Sequence, residues 1–136
     1  MKGCPTMSRL LHVAVALLAA GAASPAAATW IQCGAAGTDS VGAFAFETTS
    51  ADVGALPPAR RAQLEQQLRA YVAKTDAGAQ VSGAACTPFD DVVAASSHYS
   101  QVLNATARRI GWGRVTVVHP DDWLAPNDIV ADPSRP

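Results

Sequence analysis

Few residues in this chain have the types and spacing that chemistry requires. His98 stands in Ser96-Ser97-His98-Tyr99-Ser100, where hydroxyls beside an imidazole would suit a nucleophile and its base. Adjacent helical positions point about 100° apart, so Ser97 and His98 do not face each other, and an ordinary histidine beside a buried stripe is the plainer reading. His119-Pro120-Asp121-Asp122 sets one imidazole next to two carboxylates, the makings of a weak metal site or a small hydrolase. Only His98 remains to complete such a set, and Pro-Asp-Asp is also an ordinary acidic turn. Asn104-Ala105-Thr106 matches a glycosylation acceptor but falls inside an expected helix. No spacing among these groups defines a catalytic, metal or cofactor site, and the chain is expected to be non-catalytic.

The cysteines carry a firmer message. Of Cys4, Cys33 and Cys86, the first precedes an apolar run that fills residues 10–23. Lys2 and Arg9 stand before that run, and Ser24-Pro25-Ala26-Ala27-Ala28 follows it with the small residues a signal peptidase needs. Residues 1–28 therefore read as a secretory signal, whose apolar run is too short and alanine-rich for a membrane anchor. Cys33 and Cys86 are left to pair as a structural disulfide in a periplasmic or secreted protein. A redox-active pair would call for closer spacing, such as C-x-x-C, which is absent.

Removing 28 of the 136 residues leaves about 108, enough for one domain with a modest core. The mature charge is 8 basic against 11 acidic residues, net −3, which offers no general attraction to nucleic acid. Nothing beyond the signal suits a membrane.

The elements that must position these groups read as follows. Trp30-Ile31-Gln32-Cys33 is extended, residues 34–40 are turn-like in composition, and residues 41–47 alternate as a strand with Phe44 and Phe46 on one face. Pro57-Pro58 opens a helix over residues 59–74, whose Leu64, Leu68, Tyr71 and Val72 share a face. Residues 80–86 form a weaker strand. Thr87-Pro88-Phe89-Asp90 reads as the cap of a second helix, which buries Val92, Ala95, Tyr99, Val102, Leu103, Thr106 and Ile110 and stops at Gly111. Val115-Thr116-Val117-Val118 is the clearest strand by composition. Trp30, Trp112 and Trp123 flank strands, where each could cap the core or stack on a sugar ring or partner; two exposed together would favour binding. The expected fold is α+β: a small, mainly antiparallel sheet of three to five strands, two helices packed on one face, and one disulfide. Residues 29–123 form the single domain, and residues 124–136 a flexible C-terminal tail.

Ser40-Val41-Gly42-Ala43-Phe44 before one helix, and Gly83-Ala84-Ala85-Cys86-Thr87-Pro88-Phe89 before another that ends at Ile110-Gly111, resemble the two repeats of sporulation-related repeat (SPOR) domains over residues 41–118. The resemblance implies a four-stranded antiparallel sheet backed by helices, and binding to peptidoglycan glycan stripped of its peptides. No individual binding residue is carried over. The expected function is a non-catalytic binding module for cell-wall glycan or an envelope protein, docking through a sheet face that includes Ala43 and Ala45. The alternative is an inhibitor or immunity-type protein that blocks an envelope hydrolase through residues 34–40.

Overall fold

The computed structural model describes residues 29–130; the expected signal peptide and the last six residues of the expected tail lie outside that range. The fold is α+β with five strands, β1 (Trp30–Thr38), β2 (Ala43–Thr48), β3 (Ala51–Asp52), β4 (Gln80–Phe89) and β5 (Val115–Val118). The described residues also form two long helices, α1 (Pro58–Thr75) and α2 (Val92–Ile110), a single helical turn, α3 (Pro120–Trp123), and two short 3-10 turns at Trp112–Arg114 and Pro126–Asp128.

β1 is the centre of the sheet. It pairs antiparallel with β4 along its whole length, and on its other edge with β2 at Gly34 to Thr38 and β3 at Trp30 and Ile31. β5 adds to β2 in parallel, so the sheet is mixed but mainly antiparallel, as expected. The parallel pair is possible because α1, β4 and α2 intervene, giving the chain the length it needs to cross back.

Residues 34–38, glycine- and alanine-rich and expected as a turn, continue β1; the turn is confined to the Asp39–Gly42 tip. Small side chains are what this strand requires, because a neighbour lies close on either face. A Cβ on Gly34 would stand 2.7 Å from Glu47 Oε2, and one on Gly37 would overlap the Gln80 carbonyl.

α1 behaves as its periodicity predicts. Leu64, Leu68 and Val72 are fully buried against Ile31, Cys33, Ala35, Phe44, Phe46 and Val118, and each such side chain contributes roughly 1.5–3 kcal/mol. Phe46 stands edge-on to both Phe44 and Tyr71, at 5.7 and 6.5 Å between ring centres.

α2 departs from expectation in three ways, the first being that Val92, expected in its buried stripe, is 42% exposed. It starts at Val92 on Asp91, whose carboxylate accepts from Ala94 N at 2.8 Å, while Thr87, Pro88 and Phe89 remain in β4. Proline is tolerated there because β4 is an edge strand. α2 also packs on the face opposite α1. Strand alternation puts Gln32, Gly34, Ala45 and Glu47 on that side, and α2 lays Ala95, Thr106 and Ala107 toward it, apart from the α1 core. Both sheet faces are therefore covered, and Ala45, expected on an open docking face, is 2% exposed.

The disulfide joins Cys33 to Cys86, directly opposed across β1 and β4 with Cα atoms 4.1 Å apart. The expected loose tail is docked as far as it is described: Leu124 is buried, Asp128 pairs with Arg60 at 3.6 Å, and Val130 N donates to Asp52 O at 2.9 Å.

Candidate functional site

Strand β1 begins with Trp30, and its cross-strand partner in β3 is Asp52. Ser50 is two residues from Asp52 and on the same face. β5 ends at Val118, which turns into the α1 core, so His119 turns to the opposite side and starts α3. The strap at residues 124–130 runs back along β3, held by Arg60 and by Gln67 Nε2 on Asp128 Oδ2 at 3.1 Å. These four segments enclose a cleft of about 630 Å³, lined by Trp30, Ser50, Asp52, His119, Asp121 and Ile129 among others. Its volume suits a small ligand or one or two sugar rings.

Only part of the expected His119 constellation reaches this cleft. His119 and Asp121 line it, whereas Asp122 turns back to cap α3, accepting from His119 N at 3.2 Å. Proline at the first helical position and the Asp122 cap fix this turn locally. The other constellation comes apart. The His98 ring packs on Phe89 at 5.0 Å, Ser96 Oγ lies 3.5 Å from Ser50 Oγ, and Ser97 lines a shallow outer surface with Val92 and Val93. Among the described residues, no group of three or more His, Cys, Asp or Glu side chains is placed to hold a metal ion. Of the tryptophans, Trp123 is buried, Trp30 is partly covered in the cleft, and Trp112 is 61% exposed beside the start of β5, toward the other end of the sheet.

Two further polar features were not read from the sequence. Glu47 is 6% exposed beneath α2, and its Oε2 accepts from Gln32 Nε2 at 2.9 Å. Burial pushes its carboxyl above the ordinary range, against the smaller pull of Gln32, and Tyr99 is raised by burial and then by the charge of Glu47. At the hairpin tip, Arg114 clamps Asp39 at 2.6 Å and donates to the carbonyls of Gly42 and Ala43, which holds the Asp39 carboxyl far below its usual range. Val41 projects from that tip, 77% exposed. Neither feature follows a spacing rule, since each joins residues from separate parts of the chain.

Comparison of the chain with known protein families, with curated proteins and with solved structures finds no match.

Proposed function

We propose that this protein is a non-catalytic binding module of an oxidising, extracytoplasmic compartment, and that the cleft beside Trp30 takes cell-wall glycan. The observation that carries the reading is the cleft itself: an indole on one wall and neutral or acidic polar groups on the others, the combination on which sugar rings stack and hydrogen-bond. The disulfide favours an oxidising compartment. The resemblance to SPOR domains points to the same ligand class, although the docking surface moves from the sheet face to the end of the sheet.

The test is co-sedimentation of the mature, oxidised chain with purified peptidoglycan, with and without its peptide stems. Retention that favours stripped glycan and weakens in Trp30→Ala supports the proposal. Equal recovery with and without peptidoglycan would refute it.

The Asp39–Gly42 tip favours a second reading. A rigid turn that presents Val41 is a shape suited to blocking a groove on an envelope hydrolase. Of residues 34–40, the loop first expected to do this, residues 34–38 are in β1 and only 39–40 belong to the tip. This reading predicts a one-to-one complex lost in Val41→Asp and unaffected in Trp30→Ala.

A further inference from the structure

We propose that the cleft selects a sugar bearing a free primary ammonium group, an amino sugar that is not N-acetylated. The inference rests on the glycan reading above and narrows it to a ligand class.

The argument is one of uncompensated charge beside an aromatic wall. Two carboxylates, Asp52 and Asp121, line the cleft, and among the described residues no lysine or arginine does. Among the described residues neither is in an ion pair; the bridges are Arg60 with Asp128, Arg61 with Glu65, and Arg114 with Asp39. Asp52 commits Oδ1 to the Gly54 amide at 3.0 Å, which fixes the side chain and leaves Oδ2. Arg60, which holds this strap, is spent on Asp128 and on the carbonyls of Val53 and Asp128. An anionic ligand would meet two like charges, whereas an ammonium would meet two opposite charges together with the indole of Trp30. Ser50 and His119 supply neutral partners for hydroxyls. Acetylation removes the positive charge and adds bulk, so an N-acetylated sugar retains stacking and loses the ionic contribution.

The experiment is titration calorimetry of the oxidised mature chain with two oligosaccharides of equal length, one of glucosamine and one of N-acetylglucosamine. The proposal expects the glucosamine oligomer to bind about tenfold more tightly, with the preference shrinking at high salt. It expects the preference to vanish in Asp52→Asn/Asp121→Asn, which keeps the Oδ1 acceptor for Gly54, and to persist in Asp90→Asn, which removes one negative charge outside the cleft. Unchanged melting temperatures confirm that the variants remain folded. Equal binding of the two oligomers overturns the ammonium proposal and leaves the glycan reading standing. A preference that survives the double substitution also overturns it, because the cleft carboxylates would not be its cause, and so does one lost in Asp90→Asn, because net charge would then be the cause. Binding of neither oligomer overturns both.

Discussion

Glu47 is buried with an amide, Gln32, for a partner, and that choice makes its charge state part of the stability of the fold. The ordinary value for the side chain is 4.5, and burial raises it in the folded protein. Between the unfolded and folded values the folded state keeps a proton that the unfolded chain has released. Stability from this group is therefore complete below about pH 4 and is lost as the pH rises through the folded value. Asp39 has the opposite sign: Arg114 lowers it, so its contribution holds above its ordinary value of 3.8 and is lost in more acidic solution. The two windows lie on either side of pH 4 and can be separated. Glu47→Gln keeps an acceptor for Gln32 and removes the ionisation, so its melting temperature relative to the natural chain should climb from pH 4 toward neutrality. A pH-independent difference would show that Glu47 does not titrate in that range. Gly34 belongs to the same contact: Gly34→Ala sets a methyl against the carboxylate and should cost about 1–3 kcal/mol in urea unfolding, part of which Glu47→Ala in the same chain should restore.

At the scale of elements, legibility followed how local the cause was. α1 is written in its own apolar period, and α2 ends at Ile110 because Gly111 takes a φ of 92°, which glycine accommodates. β1 beyond Cys33 was not legible, since Gly34-Ala35-Ala36-Gly37 owes its extended form to β2 and β4 on its two edges and not to its own propensity. Thr87-Pro88 matched a helix cap in composition, yet pairing of Thr87 with Gln32 and Pro88 with Ile31 prevailed. The cleft was half legible: His119 and Asp121 stood out as neighbours, while Trp30, Ser50 and Asp52 join them only through β1–β3 pairing. The disulfide belongs to this scale too, as it fastens β4 to β1 and closes a loop with a sequence separation of 53. In the chain-entropy account that is worth roughly 4 kcal/mol. Reduction, or Cys33→Ala/Cys86→Ala, should lower the melting temperature on the order of 20 °C. A reduced protein melting within a few degrees of the oxidised one would show that the tie is dispensable.

The whole molecule is a sheet with unequal sides. Against α1 lies a continuous apolar core of Ile31, Cys33, Phe44, Phe46, Leu64, Leu68, Val72 and Val118. On the α2 side lie alanines, Thr106, Gln32 and a buried carboxyl, with Val92 and Val93 left exposed. Apolar burial is the main force holding a helix to a sheet, so α2 should open at lower free energy than α1, while β1 and β4 remain tied by the disulfide. Hydrogen exchange at neutral pH is expected to show the amides of α2 exchanging well before those of α1 at Leu64 to Val72. Lowering the pH toward 4 narrows the gap, because the protonated Glu47 no longer sets a charge beneath α2. Exchange at one common rate in both helices would instead mean that the two faces unfold as one unit, and that the polar α2 side holds as firmly as the apolar core.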